Sequence, residues 1–236
     1  MSEDNALQIP ILSQLLGRDV PRSRFLVTLF EASTDWPALA LTIAAGVLKQ
    51  GHVVNFVAVS APPAEVRREL QRALPNLTEL EETKKFWLYD WHTWMTGKKS
   101  DEPFSVDSLS VAKLSADVPI FWRDYSPIFD FAIVDNVSTI LKYNDERPFM
   151  QWFDRLIAKV RPMKGIRLYG VVKGFHSEPL YSNIEMLADG VFELTLRERN
   201  DELQNAIRIK SFKGLAHTTK WRTLKVNSTG HASLVE

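Results

Sequence analysis

Three residues of the types that form hydrolytic triads, Asp135, Ser138 and His176, follow apolar runs in the sequence. The serine nucleophile of an α/β hydrolase stands in a G-x-S-x-G turn that exposes its hydroxyl. Ser138 has no such glycines beside it (DNVSTIL), so we expect no hydrolase. Asp135 could instead bind magnesium or accept hydrogen bonds from the neighbouring turn, and His176 could either sense a ligand or face solvent.

The sequence contains no cysteine and five histidines. The lack of cysteine excludes disulfides, thiol nucleophiles, thiolate zinc sites and iron–sulfur clusters. The histidines are scattered, without the H-E-x-x-H spacing that places two imidazoles on one face of a helix. We therefore predict neither a metal site nor a catalytic group among these residues.

The connection that follows the apolar run at residues 24–30 (RFLVTLF) is the place where an α/β sheet often binds phosphate. A phosphate loop needs glycines whose N–H groups surround the anion, a lysine for the terminal phosphates, and a Ser or Thr for magnesium. This connection has no glycine, no lysine and two acids, and Pro37 removes one N–H donor. We expect an ordinary capped helix entry, with Thr34 or Asp35 as the N-cap. The residues at the position of the loop are Glu31, Ser33, Thr34, Asp35 and Trp36.

The elements that position these residues alternate between strands and helices. Short apolar runs of the kind buried on both faces predict strands at residues 24–30, 53–59, 86–89, 129–134 and 166–172. Helical patterns lie between them at residues 37–50, 64–74 and 149–160, the last after a break at residues 144–148. This order predicts an α/β fold with a mostly parallel twisted sheet, right-handed crossovers and helices on both faces.

Beyond Asp189 and Gly190 the pattern changes to short alternating strands at residues 191–196, 205–210 and 221–226. Polar, turn-rich stretches separate these strands, as in an antiparallel meander. No linker rich in Pro, Gly or Ser intervenes, so we predict one domain over residues 1–236. Within it we distinguish an N-terminal arm (1–21), an α/β core (22–190) and a C-terminal β extension (191–236).

The chain of 236 residues carries 29 basic and 29 acidic residues, which excludes a uniformly charged polyelectrolyte. Its 45% of hydrophobic residues suffices for a sizeable core. No apolar run reaches about 18 residues, and the first ten residues carry two acids instead of a positive leader. We therefore expect a soluble, cytoplasmic protein that does not contact membranes.

Five aromatic residues, three of them tryptophan, lie within residues 86–94 (FWLYDWHTW). Aromatic side chains can stack on bases, and tryptophan is a frequent anchor of protein interfaces. The segment can equally fill the sheet core and cover its rim. We name Trp91 and Trp94 as interface candidates and leave the three alternatives open.

Residues 205–235 contain six basic residues and no acid. Such a hairpin could follow a nucleic-acid backbone through phosphate contacts. It could also dock on the acidic Glu79, Glu81 and Glu82 of an adjacent subunit, which would suit a head-to-tail ring or filament. We favour the second interpretation, because it explains both halves of the charge asymmetry. The interface candidates in this segment are Lys213, His217, Trp221 and Arg222.

Three segments carry a resemblance to a known family: FDFAIVDNVSTIL (129–141), LADGVFELTLRE (187–198) and IRIKSFKGLAH (207–217). In this order they resemble the KaiC-like branch of the RecA superfamily, over about residues 25–229. In that branch a Walker B strand, an "ADGVIEL" strand and a "KMRGT-x-H" segment follow one another. The resemblance implies a RecA-like core that binds ATP between neighbouring subunits of a ring.

Transferred onto this sequence, the family's functional positions are largely changed. Trp36 stands at the P-loop lysine, and Pro37 or Ala38 at the hydroxyl that follows it; Ser60 and Ala61 stand at the paired acids. Asp135 keeps the Walker B acid, and Lys213 and His217 keep two positions of the segment that reaches a neighbour's nucleotide. Losing the lysine, the magnesium hydroxyl and the base together implies a pseudo-ATPase with a degenerate Walker A motif and no cofactor.

We therefore predict a non-catalytic assembly or regulatory subunit, whose partner is itself or a RecA-like homologue. A precedent is the set of P-loop-lacking RecA-like subunits in the Elongator accessory complex. The first alternative is a nucleotide-binding protein with an atypical P-loop, in which Asp135 holds magnesium and Lys213 or a neighbour's cation replaces the lysine. The second is a nucleic-acid-binding RecA-like module that uses the basic hairpin.

Overall fold

The computed structural model describes residues 5–125, 129–199 and 201–235. The strands in chain order are Ala6–Leu7 (β1), Val20–Pro21 (β2), Phe25–Phe30 (β3), Val54–Ala58 (β4), Phe86–Asp90 (β5), Phe131–Val134 (β6), Ile166–Val172 (β7), Gly190–Arg199 (β8), Glu202–Phe212 (β9), Arg222–Val226 (β10) and Ala232–Leu234 (β11). The helices are Leu12–Leu16 (α1), Trp36–Lys49 (α2), Pro63–Ala73 (α3), Leu77–Glu82 (α4), Val111–Tyr125 (α5), Val137–Leu141 (α6), Glu146–Val160 (α7) and Glu178–Leu187 (α8).

Nine strands form one sheet in the order β11-β10-β9-β8-β3-β7-β6-β4-β5. The strands from β8 to β5 run parallel, and β8 through β11 pair antiparallel. The predicted α/β class, with a mostly parallel sheet and antiparallel strands at the C-terminus, is confirmed. Strand β8 belongs to both parts, since it pairs parallel with β3 and antiparallel with β9.

The core strands are apolar on both faces. This is typical of a parallel sheet, because helices cover both of its faces. All six residues of β3 and all seven of β7 are buried. One apolar cluster packs α1, α2 and α3 on one face of the sheet, and a second packs α5, α7 and α8 on the other. The N-terminal arm adds Leu7, Ile9 and Leu12 to the first cluster.

The helices differ from the sequence expectation in two ways: α1, α4, α5, α6 and α8 lie outside the three predicted helical segments, and α7 begins earlier than predicted. Helices α5 and α8 were not predicted, because α5 carries Pro119 in its interior and α8 opens on the turn-like Ser177-Glu178-Pro179. Ser177 proves to be the N-cap, accepting a hydrogen bond from the Leu180 N–H. Helix α7 begins at Glu146, so Pro148 lies in its first turn, where proline is tolerated, and does not break the chain.

In the part of the chain described, no helix is both long enough and apolar enough to cross a membrane.

Candidate functional site

The candidate site lies where β3, β4 and β6 end at the same edge of the sheet. The connection between β3 and α2 (residues 31–35) leaves the central strand, and Asp135 follows β6 directly. Ser60 lies just after β4, which pairs with β6. Parallel strands bring these three carboxyl ends together, so the positions that the sequence resemblance assigns to the phosphate loop, the Walker B acid and the paired acids meet here.

Trp36 is the first residue of α2 and only 2% exposed. Its ring stacks on Phe30 at the end of β3, with 5.2 Å between centroids and 19° between planes. Its Nε1–H donates a 2.6 Å hydrogen bond to the backbone oxygen of Asp135. The indole is therefore turned into the sheet and joins the start of α2 to the end of β6.

Gly170 in the middle of β7 makes room for this arrangement. A Cβ at this position would lie 2.5 Å from the Asp135 backbone oxygen and 2.6 Å from the Trp36 ring. Real Cβ contacts do not come this close, so any side chain at residue 170 would displace the ring or the strand end. The indole thus packs directly on the β7 backbone.

The two acids of the connection bind to the β8–β9 hairpin. The backbone N–H of Asp35 donates to Asn205 Oδ1 (2.9 Å), and Asn205 Nδ2 donates back to Asp35 Oδ2 (2.7 Å). Glu31 Oε2 accepts a 3.0 Å hydrogen bond from the Leu196 N–H. Within the loop, the Thr34 hydroxyl donates to the Glu31 carbonyl at 2.6 Å. The hairpin therefore accepts the Asp35 N–H of the connection and holds both of its carboxylates.

The carboxylate of Asp135 is buried and accepts hydrogen bonds from the turn after β4. Its Oδ1 accepts from the Val59 N–H at 2.9 Å, and its Oδ2 from the Ser60 N–H at 3.0 Å. Burial raises the pKa of Asp135 to about 6, although hydrogen bonds from Ser60 and Val59 act to lower it. Both carboxylate oxygens thus stabilise a turn, which is one of the two roles that the sequence allowed.

This pKa predicts a pH dependence of stability. An unfolded aspartate has a pKa of about 3.9, so between about pH 4 and 6 the folded state binds a proton more strongly than the unfolded state. Stability attributable to this group should therefore fall as pH rises through that window, by about 3 kcal/mol at 1.36 kcal/mol per pKa unit. The substitution Asp135→Asn should remove this dependence.

Urea unfolding at pH 4, 5, 6 and 7 would measure this pH dependence of stability. The free energy of unfolding of the wild type, minus that of Asp135→Asn, should shrink as the pH rises. Asp154→Asn, at an exposed position on α7, serves as the matched control and should show a constant difference. A wild-type advantage that grows with pH would contradict the raised pKa.

A cavity of about 240 Å³ lies beside this site, between α2 and α3. It is lined mainly by apolar side chains, together with Ser60, Asp135 and two acids of α3, Glu65 and Glu69. Sequence reasoning missed these two acids, although Glu65 lies only a few residues beyond Ser60 and Ala61. The structure places no group of three or more metal-ligating side chains among the residues it describes.

The triad-type residues have separate partners. Ser138 is buried, and its Oγ accepts a hydrogen bond from the Val172 N–H. The His176 ring lies 5.9 Å from the Tyr181 ring, between centroids, and its pKa is lowered by burial. Asp135 binds the turn after β4. Within the described part of the chain, no hydrogen bond joins Asp135, Ser138 and His176 to one another.

The interface candidates differ widely in exposure. Trp91 is 6% exposed, and Trp94 is half-buried against Tyr143 with ring centroids 4.9 Å apart. Two guanidinium groups lie over the Trp221 ring, that of Arg197 at 5.0 Å and that of Arg208 at 4.4 Å from the ring centroid. The other three candidates contact nearby carbonyls: Lys213 that of Met186, His217 that of Leu215, and Arg222 that of Val235.

A buried acid in β8, Glu193, was not singled out from the sequence. Its carboxylate pairs with Arg208 of β9 at 2.5 Å and with Lys173 at 3.4 Å. Burial would raise the pKa of Glu193, but Arg208 and Lys173 outweigh this effect and lower it. The acid anchors Arg208, which in turn supports Trp221. An acid within the otherwise apolar run GVFELTL was the signal that could have revealed this cluster.

Comparisons with known proteins agree with the fold. The family model described as "ATPase: KaiC" matches residues 40–232, so the match begins just after the first turn of α2. Among solved structures, a KaiC-like protein from the hyperthermophilic archaeon Pyrococcus horikoshii OT3 superposes with a TM-score of 0.75. The two sequences are 16% identical, and the match covers 97% of this chain and 96% of the other. A search of curated proteins returned no match.

Proposed function

The chain belongs to the KaiC family of ATPase domains, and from that premise we propose that it is a non-catalytic member that works as an assembly subunit. The observation that carries the proposal is the occupied loop between β3 and α2. The backbone N–H and the carboxylate of Asp35 are bonded to Asn205, and the Glu31 carboxylate is bonded to Leu196, which supports a loop that does not receive a phosphate. What remains for function are the faces through which such domains contact one another.

The first argument concerns the loop backbone. A phosphate loop works because several N–H groups and a helix N-terminus point at the anion. Here the Asp35 N–H is bound to Asn205, and Pro37 has no N–H to offer. The carboxylates of Glu31 and Asp35 add two negative charges at the place where a triphosphate would sit. Binding ATP would require breaking the bonds to the hairpin and overcoming this repulsion.

The second argument concerns the groups that act on the nucleotide. The lysine position holds Trp36, whose side chain points into the sheet and is hydrogen-bonded there. Asp135, the candidate magnesium ligand, is engaged by backbone N–H groups. The positions of the paired acids hold Ser60 and Ala61, neither of which can act as a general base toward water.

The charges at the two sheet edges favour assembly over nucleic-acid binding. Four of the six basic residues in the C-terminal segment have partners within the chain; they are Arg208, Lys210, Lys213 and Arg222. Lys220 and Lys225 are exposed and form no ion pair within the described part of the chain. Two separate lysines suit a defined protein contact better than an extended phosphate backbone.

The acidic counterpart lies at the opposite edge of the sheet. Helix α4 contacts β5, which is the strand furthest from β11, and exposes Glu79 and Glu82, while Lys84 follows them. Glu81 is paired with Arg67 at 2.7 Å and is therefore less available. Opposite charges at opposite edges fit a head-to-tail contact, in which one copy or a homologue adds its basic edge to the acidic edge of the next.

Titration with ATP and magnesium tests the loss of nucleotide binding. We expect calorimetry to show no saturable heat up to millimolar ATP, and no change in tryptophan emission from the environment of Trp36. An active KaiC-family ATPase domain, measured in the same buffer, is the positive control. Saturable binding below about 1 mM that Asp135→Asn abolishes would overturn the proposal in favour of an atypical nucleotide-binding protein.

A further inference from the structure

A second cavity, remote from the loop, lies between the other face of the sheet and helices α5 and α7. Its volume is about 80 Å³. Asn55 of β4, Ala132 of β6 and Arg167 of β7 are paired across neighbouring strands and form one row on the sheet face that borders the cavity. Since alternate residues share a face, Tyr169 lies in the next row beside Val134. The small side chain of Ala132 leaves space between Asn55 and Arg167.

Arg167 is a buried cation with incomplete compensation. Its residue exposure is 3%, its Nη1–H donates to the Gly165 carbonyl at 3.0 Å, and its guanidinium lies 4.9 Å from the Phe129 ring centroid. Its Nη2 is buried without a hydrogen-bond partner. No acid of the described chain forms an ion pair with it, and burial lowers its pKa. An unpaired charge at such a depth costs several kcal/mol in real proteins.

Other polar side chains of this cavity are buried too. Asn55 and Tyr169 line the cavity, and each is 7% exposed. Burial raises the pKa of Tyr169 to about 12, so its hydroxyl keeps its proton at neutral pH. The Trp91 Nε1–H on the cavity wall is likewise without a partner. Buried polar groups of proteins are nearly always paired, so two unpartnered atoms at one cavity, Arg167 Nη2 and Trp91 Nε1, point to a missing ligand.

We propose that this cavity binds a small organic carboxylate. The carboxylate lies beside the Arg167 guanidinium and accepts hydrogen bonds from the Asn55 amide and the Tyr169 hydroxyl. Its short carbon chain contacts apolar wall residues, among them Val118 of α5 and Leu156 and Val160 of α7. The described lining residues include no acid that would repel the anion.

Size and charge both select this class of ligand. An apolar protein cavity that binds benzene measures about 150 Å³, so a cavity of about 80 Å³ takes a molecule of only a few heavy atoms. Water molecules would satisfy the hydrogen bonds but would leave the charge of Arg167 uncompensated. A halide would compensate the charge but would not use the apolar wall. Acetate or propionate does both, and this inference does not depend on the fate of the nucleotide loop.

Thermal unfolding at constant ionic strength tests the proposal. Acetate and propionate up to 100 mM should raise the midpoint of the wild type by several degrees relative to chloride, because a ligand that binds only the folded state stabilises it. Arg167→Met keeps the length and apolar stem of the side chain and should abolish the shift. Arg155→Met, on the exposed side of α7, removes the same charge outside the cavity and should leave the shift intact.

Tyr169→Phe provides a second variant if Arg167→Met does not fold. It removes one hydrogen bond, and propionate binding, followed by ligand-observed NMR, should weaken about 3- to 10-fold. An equal shift with chloride, an unchanged shift in Arg167→Met, or no shift in the wild type would overturn the assignment. So would an electron-density map of propionate-soaked crystals that shows only water in the cavity.

Discussion

Replacing Trp36 with alanine should lower the free energy of unfolding by about 3–5 kcal/mol, the range for truncating a fully buried tryptophan. The indole is 2% exposed, stacks on Phe30, and contacts the backbone at Gly170. Alanine would leave a cavity between α2 and β7 and would leave the Asp135 carbonyl without its donor. Urea unfolding followed by circular dichroism would measure the loss.

Two further variants separate the contributions of this side chain. Trp36→Phe retains an aromatic ring against Phe30 but removes the Nε1–H, so it should cost only about 1–2 kcal/mol. Trp94→Ala, at a half-buried position, should cost less than Trp36→Ala. A loss below about 1 kcal/mol for Trp36→Ala would show that the indole does not support the fold. None of these variants should acquire ATP binding, because Asn205 and the two loop acids remain in place.

Charge reversal at the basic edge should dissociate the proposed assembly. The double variant Lys220→Glu/Lys225→Glu places two acids where a neighbour presents Glu79 and Glu82. Like charges at a close contact cost several kcal/mol of association, which lowers the association constant by at least about 100-fold. Sedimentation velocity at low and moderate salt would follow the size of the particle. The wild-type assembly should also weaken with salt.

A charge-matched control and a rescue make this test specific. Arg155→Glu/Lys159→Glu changes the net charge equally on the exposed face of α7 and should leave assembly unchanged. Glu79→Lys/Glu82→Lys should fail to self-assemble but should form mixed particles with the Lys220→Glu/Lys225→Glu variant. A wild-type protein that stays monomeric at micromolar concentration, alone and with a RecA-like homologue, would contradict the assembly proposal.

The positions of the core strands along the chain and the mostly parallel sheet class followed from sequence, because apolar runs of strand length separated by helical patterns leave few topologies. The position of Asp135 followed as well, since it ends a strand that is unambiguous. Among the helices that the sequence analysis missed, α5 and α8 show the limit of local rules. Pro119 lies inside α5 and Pro179 opens α8, and tertiary packing outweighs the local signal of both residues.

The hydrogen bonds between the connection after β3 and the β8–β9 hairpin could not have been predicted. Asp35 and Asn205 are 170 residues apart, and nothing in the sequence relates an aspartate in one loop to an amide in a distant strand. The family resemblance placed Trp36 at the position of a lysine, but only the structure shows that the indole turns inward. The signal for that was Gly170, the single glycine of β7, whose missing side chain is what the ring requires. Arg167 was equally hidden, since a charged residue in a strand is usually taken to face solvent.

Strand β8 has a mechanical consequence for the protein. One of its edges is bonded to β3, whose end carries the loop, and its other edge is bonded to β9 over the length of the hairpin. The hairpin also forms direct hydrogen bonds to the loop, through Leu196 and Asn205. If a subunit docked on this hairpin as proposed and tilted it, the hydrogen bonds between the hairpin and the loop would be strained. By thermodynamic reciprocity, whatever loosens the loop changes the affinity of docking by the same factor.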